Sequence, residues 1–353
     1  VDLGADNPIE MSKSRRIGWK PQNYEARVAS ARIRCLNMIR ELRAQQVPVE
    51  LYRERRESGY EAVVFSKAYT EKDIAIARRL RQRGIRVVFD LCDNHFLLGP
   101  QRVARLRQMF ELADQWVVSS EALAGVVRRN FATLKPLWVI EDAVEERLKG
   151  PALDVFGRLK AQYRLLELRR FLNGGAGRGA AHLVWFGNHK ASYGDSGLSH
   201  MEKLRPLLER IGRERPVTLT VISNSREVFA RVFAGWRIPL HYLDWSAHTF
   251  FAALELHQIA LIPIDVNAFT QVKTNNRIAL SLSLGLGVVA DSIPSYRAFQ
   301  ECAFLDNWEQ GLEVYLQRRD AIGDHVHCAR RLIEDRFSAP VIARRWRTLF
   351  ESL

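Results

Sequence analysis

The five residues Lys273-Thr274-Asn275-Asn276-Arg277 stand between a short apolar run, residues 260–264, and a segment apolar on nearly every side through Ile278, Leu280, Leu282 and Leu284. If the run is a strand and the segment a buried helix, these polar residues open a helix just past a strand end. Free N–H groups, the positive end of the helix macrodipole and a Lys together favour a phosphate there. The other reading is a plain capping segment, with Thr274 as N-cap and Lys273 exposed. Capping alone gives no reason for Lys273 or Arg277, because positive charge opposes the dipole at that end. A negative group is therefore expected nearby.

Other strand ends carry polar residues too. Gly187, Asn188 and His189 close "LVWFGNH" and lead into a loop with Lys190, Tyr193 and Gly194. Glycine allows close backbone approach and Lys190 suits a diphosphate, although an ordinary strand–helix turn reads the same way. Ser223 and Asn224 end a second strand, and Asp244 and Trp245 a third. Earlier in the chain, "FDLCDNHF" places Asp90, Asp93 and His95 at a strand end. Asp93 and His95 are candidates to hydrogen-bond or deprotonate an acceptor hydroxyl, work that needs a group titrating near neutral pH. A satisfied structural His and a metal site remain open at that spacing. Gly18, with the loop after it, is expected to line the opposite wall. Ser30, Arg32 and Arg34 are weaker candidates, with Arg32 and Arg34 read as part of a solvated stripe.

The elements that must position these residues alternate. Apolar strands such as "EAVVFSK", "IRVVFDLCD" and "WVVSS" are separated by amphipathic helices such as "TEKDIAIARRLRQRG", with Ser120 a good N-cap for the helix carrying Leu123 and Val126. This predicts a parallel sheet covered on both faces. The alternation breaks over 151–181, a basic helix followed by the glycine-rich "NGGAGRGAA", and then restarts. The expected fold class is α/β, with two Rossmann-like doubly wound parallel-sheet domains facing a cleft. Residues 1–150 form the first domain, 151–181 the joint, 182–330 the second domain and 331–353 the closing helices. Ligands of such sheets sit at the carboxyl ends of strands.

The chain has 353 residues, 47% of them apolar and 26% charged, as in soluble globular proteins. No apolar stretch reaches the ~18 residues of a membrane span. The opening 20 residues hold no apolar centre of the signal-peptide kind. A cytoplasmic location is thus expected, and with it reduced thiols at the four scattered cysteines, Cys35, Cys92, Cys302 and Cys328. A net charge of +13 suits a negatively charged partner. No nucleophile elbow, Walker A motif or well-placed dinucleotide fingerprint is present, and no nucleic-acid reading module either.

The series "LVWFGNH", "LTVISNS", "LHYLDW", "ALIPID" and "KTNNRIALSLSLGLGVVADSIPSY" resembles the donor-nucleotide domain of GT-B-type glycosyltransferases. "VVFDLCDNHF", "WVVSSEAL" and "WVIEDAVE" resemble that family's acceptor domain, and "RFSAPVIARRWRTLFESL" its terminal helix. Gly285 and Val288-Val289 align with the family's Gly-x-Pro-Val end, Gly287 standing where the Pro would be. The Glu-x7-Glu pair of many retaining members is missing, so the chain resembles a divergent branch, and donor and stereochemistry stay open.

The resemblance implies transfer of a sugar from a nucleotide-activated donor to a hydroxyl acceptor, without a bound metal or other cofactor. Lys273 and the helix start would stabilise the leaving diphosphate, residues at 187–190, 223–224, 244–245 and 274–277 would hold the donor, and Trp245 would stack on the base unless it is a core Trp. Asp93 and His95 would serve the acceptor, with Asp90 and Gly18 beside them. The setting implied is bacterial surface polysaccharide or glycoconjugate synthesis, with a saccharide or lipid-linked saccharide acceptor. A nucleotide-sugar epimerase and a non-catalytic binding homologue are the alternatives. Along the basic helix, Leu159, Tyr163, Leu166 and Phe171 alternate with arginines, which suits either peripheral contact with an anionic membrane or packing across the two domains.

Overall fold

The computed structural model describes residues 16–132, 135–147, 154–188 and 197–353. Six strands come first: β1 (Arg16–Pro21), β2 (Val49–Leu51), β3 (Tyr60–Ser66), β4 (Arg86–Leu91), β5 (Gln115–Val118) and β6 (Leu137–Val139). They form one sheet in the order β2-β1-β3-β4-β5-β6, every pairing parallel. Six more follow: β7 (Ala181–Phe186), β8 (Val217–Ser223), β9 (Leu240–Asp244), β10 (Ile259–Ile262), β11 (Gly287–Ala290) and β12 (Phe304–Leu305). Their order is β12-β11-β10-β7-β8-β9, again all parallel. The fold is α/β with two doubly wound sheets.

The strand sequences explain the architecture. β8, β10 and β11 are buried at every position, which an apolar run achieves only when helices cover both faces of the sheet. Helix starts are well defined in the first domain. Thr70 and Asp73 make a reciprocal capping box, and the Ser120 hydroxyl accepts from Leu123 N–H at 3.2 Å. Each sheet reverses direction once, between β1 and β3 in the first and between β7 and β10 in the second. Ligands of open parallel sheets bind outside the carboxyl ends of the strands at such reversals.

The closing helix Ala339–Glu351 returns to the first sheet, where Ile342, Trp346 and Leu349 pack with Trp19, Met38 and Leu42. The Trp19 and Trp346 rings lie 4.6 Å apart. The buried segment noted above becomes the helix Asn276–Ser283, ended by Gly285 at φ 86°, a left-handed angle that favours glycine.

Two expectations are corrected. Cys302 and Cys328 form a disulfide, so the reading of four reduced thiols holds only for the buried Cys35 and Cys92. A spacing of 26 residues carries no local signal, and only the packing of the turn before β12 against the helix Asp320–Leu332 brings those Cα atoms to 5.6 Å. The helical spacing of "YEARVASARIRCLNMIRELRAQ" predicts a helix from Tyr24 onward, but the helix begins at Ser30, and its first stretch, Ser30–Asn37, is wound as a π-helix.

Candidate functional site

The helix Asn276–Ser283 starts beside the reversal of the second sheet. Its N-cap is Asn275, not Thr274, with no side-chain capping bond and no acidic residue in the first turn. Its first N–H groups therefore meet no capping side chain, and its positive end meets no carboxylate of its own. Arg277 lies there with its guanidinium 5.2 Å from the centre of the Trp185 ring and 5.4 Å from that of Phe186, the last two residues of β7. Its Nε and Nη2 are buried and have no hydrogen-bond partner among the described residues. Burial pushes its pKa down, and no carboxylate among the described residues offsets this. A partly desolvated cation with no counter-charge among the described residues is costly, so this geometry fits an anion.

Lys273 reaches the other way, across the cleft. Its Nζ pairs with Asp93 and sits 4.0 Å from the Phe269 ring centre, while Lys67 takes the second Asp93 oxygen. Lys67 follows β3 directly and has a φ of 55°, unusual for a residue with a side chain. Burial by itself would raise the Asp93 pKa, but the Lys273 and Lys67 ammoniums outweigh it and hold the carboxyl well below the usual range. Such a carboxylate is a weak base. It is better suited to ordering two lysines than to taking a proton.

His95 departs from the expectation more sharply. It is fully buried, and its Nδ1 meets the Tyr69 hydroxyl at 2.8 Å. Burial, helped by the Lys67 charge, pushes its pKa down to about 3, so it is neutral near pH 7. It does not titrate where general acid–base work on a hydroxyl needs it. His257, buried between Thr220 and the Ala253 carbonyl, is likewise pushed down to about 3 by burial.

These two imidazoles make a pH dependence. In the unfolded chain each takes a proton below about pH 6.5, whereas the folded chain refuses it until about 3. The unfolded state binds more protons in that window, so stability is full above about pH 6.5 and falls as pH drops toward 3. The expected loss at pH 5 is about 2 kcal/mol for each imidazole. Urea midpoints measured from pH 7.5 down to 5 should fall accordingly, and a flat profile contradicts the assignment.

Asp90 faces the core, not the cleft. It is 1% exposed and accepts from Arg34 Nε at 2.8 and 2.9 Å and from the Ser66 hydroxyl at 2.7 Å. Ser66 in turn accepts from the Trp19 indole at 2.8 Å. Arg34 Nη1 donates to Asp142 at 2.8 Å, and the other Asp142 oxygen accepts from Asn276 Nδ2 at 2.8 Å. One buried polar chain thus runs from the first sheet to the helix start of the second domain. Arg34 is no solvated residue, and neither is Arg32, which pairs with buried Glu145 and lies 4.9 Å from the centre of the Trp245 ring. Both are buried because carboxylates distant in sequence, at 90, 142 and 145, meet them.

Gly18 is buried within β1, where a Cβ would come within 3.3 Å of Tyr60 and Val63, so it lines no cleft wall. Ser223 is buried and its carbonyl accepts from the Tyr242 hydroxyl and from Trp245 N–H, while Asn224 beside it is exposed. Asp244 pairs with Arg164 at 3.0 Å. Trp245 is half-buried, with one partner already in Arg32. Gly187 and Asn188 follow β7, and Thr274 is half-buried; His189 and Lys190 lie outside the described residues. The structure brings Asp93, Lys273, Asn276 and Arg277 to one zone and adds Lys67, Tyr69, Asp142 and Glu145. A Lys directly after the apolar strand "AVVFS" was the signal for Lys67. The others had none.

The two domains touch across this zone. Asn94 Nδ2 donates to the Ala268 carbonyl and Ser120 to the Val272 carbonyl, each at 2.9 Å, and Val272 packs into the first domain's core. Among the described residues, no group of three or more His, Cys, Asp or Glu is placed to hold a metal ion.

No family model matches the sequence, and neither does any curated protein. Solved structures do match. A sucrose-phosphate synthase from Thermosynechococcus elongatus aligns with 96% of this chain and 99% of its own at a TM-score of 0.65 and 11% identity. A trehalose-6-phosphate structure from E. coli, bound with UDP-2-fluoro glucose, covers 83% of this chain and 73% of its own, at a TM-score of 0.56 and 14% identity. A UDP-forming trehalose-phosphate synthase from Burkholderia vietnamiensis covers 89% and 83% at 0.54 and 12%. At identities this low the likeness is one of fold, and that fold is the two-domain GT-B arrangement.

Proposed function

We propose that the chain is a glycosyltransferase that moves a sugar from a nucleotide-activated donor to a hydroxyl acceptor. One observation carries the reading: Arg277 at an uncapped helix start beside the reversal of a parallel sheet, half-buried, with guanidinium Nε and Nη2 that are buried and have no partner among the described residues. Guanidinium, helix terminus and nearby Lys273 suit the pyrophosphate of a nucleotide sugar. The names of the structural neighbours, UDP-forming synthases among them, support the same class.

In this reading negative charge grows on the diphosphate as the glycosidic bond breaks, and fixed donors there lower the barrier. Arg277 and the helix N–H groups are already in place. Lys273 exchanges Asp93 for the diphosphate, leaving Lys67 to hold Asp93 and the first domain's side of the cleft. No metal or other cofactor is assigned a role. The acceptor class is a saccharide or lipid-linked saccharide, as in bacterial surface polysaccharide or glycoconjugate synthesis. Contact across the cleft, through Asn94, Ser120 and Val272, would exclude water from the donor.

The test is a thermal shift with nucleoside diphosphates, UDP first. Ligand at a hundredfold excess over its Kd stabilises by about 2.7 kcal/mol. Absence of any shift with the uridine, guanosine, adenosine and cytidine diphosphates would sink the reading. Product analysis with donor alone, then with acceptors, separates transfer from epimerisation.

A further inference from the structure

The helix Val155–Asn173 has two apolar faces, and only one of them is used. Leu168 and Leu172 are buried in the second domain's core, with Leu165 and Phe171 packed against it. Val155, Phe156, Leu159, Tyr163 and Leu166 point away and are 49 to 82% exposed. At 3.6 residues per turn these five fall within an arc of roughly 100°, opposite the buried set. They are five of the eight most exposed large apolar side chains among the described residues, so this is a continuous patch and no random scatter.

Charge indicates what covers it. Arg158, Lys160, Arg169 and Arg170 are exposed on the same helix, against one acidic residue, Glu167. A stripe of Phe, Leu and Tyr flanked by long basic side chains matches the boundary of an anionic bilayer, where rings and aliphatic chains sink below the headgroups and cations stay among them. A protein partner with a hydrophobic groove would not require four cations around the stripe. Among the described residues no helix is long and apolar enough to cross a membrane, so contact through this helix is peripheral.

We infer that the Val155–Leu166 face is a docking surface for an anionic lipid bilayer. Arg164 of the same helix pairs with Asp244 at the end of β9, so a docked helix sets the carboxyl edge of the second sheet close to the lipid. The inference does not rest on the sugar-transfer reading.

Sedimentation of the whole chain with vesicles tests it. Binding is expected to vesicles of phosphatidylcholine mixed with phosphatidylglycerol at low salt, and far less to phosphatidylcholine alone. The double variant Phe156→Glu/Leu159→Glu should partition roughly tenfold or more weakly, with an unchanged melting temperature and an unchanged nucleotide response. A chain that stays in the supernatant with both vesicle types overturns the proposal. So does equal binding by the double variant, which would make the attraction one of bulk charge alone. Concentration-dependent self-association in light scattering that the double variant abolishes, without vesicle binding, would assign the face to a second copy instead.

Discussion

Arg277→Met should weaken nucleoside diphosphate binding by roughly a hundredfold and, at the same time, raise the melting temperature of the free protein. The two halves have one cause. Two guanidinium nitrogens are buried without partners among the described residues, so the free protein bears the cost of a partly desolvated cation. Methionine fills a similar volume between Trp185 and Phe186 without that charge. The gain is expected at about 1 kcal/mol, in the range of single stabilising changes at functional sites. Binding moves the other way. A bidentate guanidinium–phosphate pair contributes about 3 kcal/mol, so its loss weakens the diphosphate by roughly a hundredfold or more. Calorimetric titration and a melting curve on one preparation read both effects. A variant that is less stable and still binds would show Arg277 to be a structural residue. Lys273→Ala probes the same ligand from a side chain that the free protein already pairs with Asp93, so there the two effects are uncoupled.

The second large effect is structural. Arg34→Met removes the only cation paired with both Asp90 and Asp142 among the described residues, and leaves two buried carboxylates with neutral donors, Ser66 and Asn276, in its place. Breaking a buried ionic cluster by deleting one member costs about 3–5 kcal/mol. Two nearby tryptophans report on it. Trp19 donates to Ser66, which donates to Asp90, and Trp346 has the Arg34 guanidinium 5.8 Å from its ring centre. The urea midpoint by tryptophan fluorescence should fall strongly, and pairing Arg34→Met with Asp90→Leu should recover part of the loss. A shift below about 1 kcal/mol would mean that water replaces the guanidinium. Because Asp142 also accepts from Asn276, the variant should weaken diphosphate binding too, by loosening the helix start.

Much of the layout was legible from pattern alone. Runs such as "VTLTVIS" and "IALIPI" are too apolar for a sheet with one wet face, and the helices between them have a stripe on one side. Both sheets and the buried helix Asn276–Ser283 followed from that periodicity, as did the suspicion about the polar residues before it. Asp93 and His95 show the limit. Their types and strand-end position suggested groups titrating near neutral pH, but titration depends on depth and on neighbours. Lys67, 26 residues earlier in the chain, reaches Asp93, and Tyr69 meets a His95 that has no solvent contact. Arg32 and Arg34 are the converse case. Read by themselves they looked solvated, and only the return of the chain at 142 and 145 makes them core residues.

What the sequence determined by itself is therefore the local part: strand and helix types, the alternation that makes two parallel sheets, and the polar start of the buried helix. These follow from side chains within a few residues of one another. The protonation states at 93 and 95, the burial of Arg32 and Arg34, the Cys302–Cys328 bond and the surroundings of Arg277 were decided by the tertiary structure. Each depends on which charges and how much water surround a group, and those neighbours come from segments far apart in the chain.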